Sequence, residues 1–127
     1  MSKGTMMEWM GIEFTEAKEG YLKAVMPVDN RTLQPMGLLH GGATIALAET
    51  LGSFGSALLV DLEKNDVVGQ QMTANHLRSV CEGVVYGEAE IIHRGKTTHL
   101  WNIDVKDEKG RLISTCRLTV VIKNKKS

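Results

Sequence analysis

Only two cysteines and two prolines occur in the 127 residues, and neither charge sign is in excess, with 15 Lys plus Arg against 15 Asp plus Glu. Each shortage excludes something. Cys81 and Cys116 stand far apart with no metal-type spacing, which argues against a disulfide framework and a zinc site and for a reducing compartment. Few prolines beside 13 glycines exclude collagen-like and low-complexity classes. A net charge of zero removes the attraction on which non-specific nucleic-acid binding rests, and no basic stripe interleaved with aromatics is present, so nucleic acid is not an expected partner. No stretch approaches the ~18 apolar residues that would span a bilayer, and Glu8 falls where a secretory leader would be apolar. The expectation is a cytoplasmic protein with no membrane partner.

What is present is an ordinary globular composition, 43% hydrophobic and 24% charged, in a length that fits one domain over residues 1–127. Met6, Met7, Trp9, Met10, Ile12 and Phe14 predict a short amphipathic helix over about 5–14, a lid or cap. Tyr21 to Val28 alternates with the strand period, Leu22, Ala24, Met26 and Val28 on one face. A loop with Pro35 and Gly37 follows, and then the only long helix, from about Gly42 to Val60. Ile45, Leu47, Ala48, Leu51, Phe54, Leu58 and Leu59 are expected on its buried side. Segments 67–77, 83–93, 97–106 and 111–123 read as strands, the last two joined by the Asp107–Gly110 loop, and 123–127 reads as a frayed basic tail. One strand, one long helix and four strands in meander spacing predict an α+β domain, an antiparallel sheet packed on a single helix.

Within that helix Glu49 is the exception. Its neighbours three and four positions away are Ala46, Gly52, Ile45 and Ser53, so it stands on small residues with no basic partner. Upstream, His40-Gly41-Gly42 opens the helix, and two glycines there are expected to leave backbone N–H groups free for an anion or a polarised carbonyl oxygen. Gly41 and Glu49 are eight residues apart, roughly 12 Å along a helix axis. One chain cannot bring both to one carbonyl, whereas two antiparallel helices about a two-fold axis can. Two equivalent sites shared across a homodimer are therefore expected.

The runs Gln34-Pro-Met-Gly-Leu-Leu-His40-Gly-Gly, Ala-Leu-Ala-Glu49-Thr-Leu-Gly-Ser53, Asn75-His76-Leu-Arg78 and His93-Arg-Gly-Lys-Thr resemble those of hotdog-fold acyl-CoA thioesterases. The similarity is closest to the phenylacetate-pathway, 4-hydroxybenzoyl-CoA, enterobactin-proofreading and dihydroxynaphthoyl-CoA branch, and it covers about residues 10–122. It implies a central helix wrapped by an antiparallel sheet, homodimers and homotetramers. It further implies Glu49 as the catalytic carboxylate, acting as nucleophile or as general base, and the Gly41 N–H polarising the thioester oxygen. Gln34 is implied near the thioester, His40 at the loop or the leaving thiolate, and Ser53 orienting water or carboxylate. Gly69, His76, Leu77, Arg78, Ser79, His93, Arg94, Gly95, Lys96, Thr97 and Thr98 are implied to line the coenzyme A channel. Coenzyme A belongs to the substrate, and no further cofactor or metal is expected. An acyl-CoA-binding module without chemistry and a hotdog dehydratase or hydratase are the competing readings. His99, Cys81 and Cys116 are expected in or near the core.

Overall fold

A computed structural model describes residues 3–125. The predicted amphipathic helix is α1, Met6–Met10, which is shorter than expected. Gly11 adopts the left-handed conformation (φ 77°) and donates its N–H to the Glu8 carbonyl while the Ile12 N–H donates to the Met7 carbonyl, closing the helix after five residues. Phe14 consequently lies in a strand absent from the sequence reading, β1, Glu13–Lys18. β1 carries too little apolar alternation to announce itself. It pairs antiparallel with β2, Tyr21–Pro27, whose Leu22, Ala24 and Met26 are fully buried.

The long helix α2 runs Gly41–Ala57 and is followed by β3, Asn65–His76, β4, Val84–Arg94, β5, Thr98–Lys106, and β6, Leu112–Asn124. β6 thus takes in Lys123 and Asn124, and the Lys125 N–H donates to the Lys64 carbonyl, so the frayed tail is not found there; residues 126–127 lie outside the described ones. The six strands form one antiparallel sheet in the order β1-β2-β4-β5-β6-β3. α2 packs against β2, β3, β4, β5 and β6, which makes it the axis of a wrapped sheet.

The buried side of α2 agrees with expectation at Leu47, Ala48 and Leu51 and differs at its other large residues. Ala43, Thr44, Leu47, Ala48, Leu51, Gly52, Gly55 and Ser56 face inward, whereas Ile45 and Phe54 line a cleft, Leu58 is exposed and Leu59 is half-buried. The reason lies on β5. The buried Trp101 fills the space opposite Gly55, where an added Cβ would come within 2.5 Å of its ring, and its indole N–H donates to Ser56 Oγ at 2.8 Å. A large residue on the sheet requires small ones on the helix. Cys116 is buried as expected, but Cys81 is exposed in the loop after β3.

Bulges in two strands set which residues face the helix. In β3 the pairing with β6 slips between Gly69 and Gln71, so inward positions change from Asn65 and Val67 before it to Met72 and Ala74 after it. In β4 a similar slip between Ile91 and His93 lets Arg94 reach the C-terminal end of α2, where it donates to the Leu59 carbonyl.

Candidate active site

The segment before α2 is held by backbone bonds from two directions. The His40 N–H donates to the Thr32 carbonyl (2.8 Å) and the Leu39 N–H to the Val80 carbonyl (2.7 Å), while the buried Thr32 hydroxyl donates to the Pro27 carbonyl (2.8 Å). This fixes where the helix begins. His40 is its N-cap, and its Nδ1 accepts the Gly42 N–H at 2.7 Å, so a neutral His40 carries its proton on Nε2. The expectation of two free glycine N–H groups is thereby corrected. The Ala43 and Thr44 N–H groups both return to the His40 carbonyl, which leaves Gly41 as the one N–H of the first turn with no acceptor among the described residues.

Glu49 lies two turns further on, exposed in the single chain and without an ion pair among the described residues. It borders a cleft of about 840 Å³ between α2, α1 and the start of β3, together with Ser53, Phe54, Met6, Met7 and Val67. Phe54 is stacked on Phe14 of β1, ring centroids 4.5 Å apart. The Glu49 carboxylate rests against Gly69, where an added Cβ would come within 2.8 Å of Oε2. Gly69 is therefore the floor beneath the carboxylate.

Gly41 opens on a different cavity, about 340 Å³, lined by Leu39, Thr44, His76, Leu77, Arg78, Ser79 and Ile113. An added Cβ at Gly41 would stand 2.9 Å from His76 Nε2. The chain thus joins Gly41 with residues 76–79, and Glu49 with Ser53 and Gly69, in two separate places.

The remaining expected residues lie elsewhere. Gln34 borders neither cavity; its side-chain oxygen accepts the Met36 N–H inside the loop before α2. His93, Arg94, Gly95, Lys96, Thr97 and Thr98 form the β4–β5 turn, closed by the Gly95 N–H to the Thr98 carbonyl (2.8 Å). Arg94 pairs with Glu19 at 2.8 Å near the C-terminal end of α2. Lys96 makes no ion pair among the described residues.

His99 is 2% exposed, its Nδ1 2.7 Å from Ser56 Oγ. Burial, reinforced by the Arg94 and His93 charges, pushes its pKa below the usual imidazole value. No helix among the described residues is long and apolar enough to cross a membrane, and no cluster of three or more His, Cys, Asp or Glu among them is placed to hold a metal. Sequence reasoning had no signal for Ser114, which is buried beside His76 with Oγ 3.0 Å from Nδ1.

A family model of the thioesterase superfamily matches residues 36–114, a span holding Gly41, Glu49 and His76. The chain belongs to the thioesterase superfamily. It is 49% identical over 121 residues to the proofreading thioesterase EntH of Klebsiella pneumoniae, covering 95% of this chain and 88% of that protein. It is 45% identical over 122 residues to the 1,4-dihydroxy-2-naphthoyl-CoA hydrolase of Escherichia coli, covering 96% and 89%. The structure of a Staphylococcus aureus thioesterase with a glutamine replaced by alanine superimposes with a TM-score of 0.91 at 45% identity, covering 93% of this chain and 98% of that one. A second structure of the same protein carries a glutamate-to-alanine replacement. The thioesterase's sheet wrapped on one main helix is the hotdog fold, and its activity is thioester hydrolysis.

Proposed function

We propose that this thioesterase hydrolyses acyl-CoA, with Glu49 of one subunit and the Gly41 N–H of its partner acting on the same thioester. The observation that carries the reading is the separation just described: the carboxylate and the free N–H sit on one helix and open on two cavities. Acting together requires a second copy. β3 is an edge strand of the sheet with ladder groups available for pairing. If two β3 strands pair antiparallel about an axis near Met72 and Thr73, Gly69 of one faces His76 of the other. Glu49 then meets the partner's Gly41, as antiparallel helices require.

In such a site the Gly41 N–H and the positive end of the α2 dipole stabilise the oxyanion formed at the thioester carbonyl. Glu49 either attacks that carbon, giving a mixed anhydride that water then cleaves, or takes a proton from the attacking water. Both routes release the carboxylic acid and the coenzyme A thiol. Ser53, one turn beyond Glu49 on the same cleft, is placed to orient the water or the carboxylate. The glutamine and glutamate replaced in the Staphylococcus aureus relative are fifteen positions apart, the spacing of Gln34 and Glu49 here, which supports a role for both. Arg78 and Lys96 offer cations to the phosphates of coenzyme A. Pairing of two dimers into a homotetramer is the expected assembly, and a reducing cytoplasm the expected compartment.

The test is thiol release from benzoyl-, phenylacetyl-, naphthoyl- and aliphatic acyl-CoAs. Glu49→Gln is expected to lower kcat about a thousandfold or more while acyl-CoA binding persists. Turnover equal to wild type would sink the assignment, and saturable binding without turnover in the wild type would make the chain a binding module.

A further inference from the structure

Behind the smaller cavity lies a partly buried polar chain that the reading above does not use. Ser114 Oγ is 3.0 Å from His76 Nδ1, 3.0 Å from the Asn75 carbonyl oxygen and 3.7 Å from Cys116 Sγ. A hydroxyl oxygen and a carbonyl oxygen at that distance need a proton between them, and the serine supplies it by donating to Asn75. The hydroxyl then has no proton left for the imidazole, so the His76 Nδ1–H is the donor and Ser114 Oγ the acceptor. Cys116 fits the same scheme, since burial pushes its thiol pKa up and keeps an S–H to offer Ser114. A neutral His76 therefore presents a bare Nε2, the ring atom nearest a Cβ built on Gly41. His40, in the opposite state, has its proton on Nε2.

The mouth of α2 thus carries a donor and an acceptor side by side, the Gly41 N–H and His76 Nε2, in the cavity that also holds Arg78. In a coenzyme A thioester the carbonyl oxygen lies on one side of the sulfur, and the first amide N–H lies two methylenes away on the other. We propose that Ser114 is a positioning residue that holds His76 as a hydrogen-bond acceptor for the cysteamine amide N–H of the leaving thiol, while Gly41 holds the thioester oxygen. The inference rests on the acyl-CoA reading above. It makes the site selective for pantetheine thioesters over thioesters whose thiol lacks that N–H, whatever the acyl group.

Two measurements test it. In protein with ¹⁵N-labelled imidazoles, assigned by comparison with His76→Gln, His76 is expected to be protonated at Nδ1 and bare at Nε2, and Nε2 is expected to shift when coenzyme A is added. A protonated Nε2 in the wild type, or a resonance that ignores coenzyme A, overturns the proposal without reference to turnover. The second compares kcat/KM for one acyl group on N-acetylcysteamine and on 2-mercaptoethyl acetate, where an ester oxygen replaces the N–H. The wild type is expected to favour the amide by about tenfold, the worth of one good hydrogen bond. The preference is expected to fall toward one in Ser114→Ala and His76→Gln and to return in Ser114→Thr. A wild-type ratio of one overturns the proposal while leaving the thioesterase reading intact. Failure to hydrolyse any acyl-CoA, with the Nε2 shift present, overturns the catalytic reading while leaving the tautomer lock in place.

Discussion

An alanine at position 69 would carry its Cβ to 2.8 Å from Glu49 Oε2. The clash is with the far end of a flexible side chain, so the fold can absorb it by moving the carboxylate, at the expense of its aim. Gly69→Ala is expected to leave the melting temperature within a few degrees of wild type while lowering kcat about tenfold to a hundredfold, read by pairing thermal melts with thiol release. His99 makes a separate prediction. Because its folded pKa lies below the unfolded value near 6.5, the unfolded chain binds the extra proton first as pH falls. Its contribution is intact above about pH 6.5 and is lost between that value and the lower folded one. Denaturant midpoints followed from pH 7.5 down to pH 5 should fall, and the slope should flatten in His99→Gln. Glu49 and Gly41 were legible as single letters because an acid on a small-residue strip and glycines at a helix start are unusual. Ser114 was not, because a serine in a strand acquires its meaning only from the histidine across the ladder.

At the scale of elements, α1 forms one wall of the large cleft, with Met6 and Met7 lining it, and β1 supports the cleft from behind through Phe14 stacked on Phe54. Trp9, 77% exposed, is left on the outside of this wall. Removing residues 1–10 is expected to raise KM for apolar acyl-CoAs several-fold with a smaller effect on kcat, because Met6 and Met7 border the cleft beside Glu49 and lie away from the Gly41 cavity. An unchanged KM would remove α1 from the binding surface. Sequence reasoning found α2 and five of the six strands from their periodicity. It missed β1, whose Thr15, Glu16, Ala17 and Lys18 offer no apolar stripe, and on α2 it placed Ile45, Phe54, Leu58 and Leu59 on the inner face beside Leu47, Ala48 and Leu51, of which only the last three are fully buried. Hydrophobic patterning reads which side of an element is greasy. The inner side of α2 is instead set by fit against Trp101, a residue more than forty positions away.

For the whole molecule, the separation of Gly41 and Glu49 predicts complementation. Subunits carrying Glu49→Gln and subunits carrying Gly41→Val should each be nearly inactive. Mixed at equal amounts and allowed to exchange, they should recover about a quarter of wild-type turnover, because half the dimers are mixed and each of these has one intact site. No recovery, with exchange verified by mass, would place both groups in a site within one subunit. Helix rise alone led to the expectation of a two-fold arrangement, whereas the strand register that would deliver it depends on the slip in β3. Gly69 and His76 are seven residues apart, and in an unbroken pleat an odd spacing puts two residues on opposite faces. The slip brings both to the inner face, one under the carboxylate and the other beside the helix mouth. Gln70 is therefore the extra residue that sets the spacing between the two. Deleting that one residue would restore the unbroken pleat and turn His76 to the outer face as surely as replacing it would remove it.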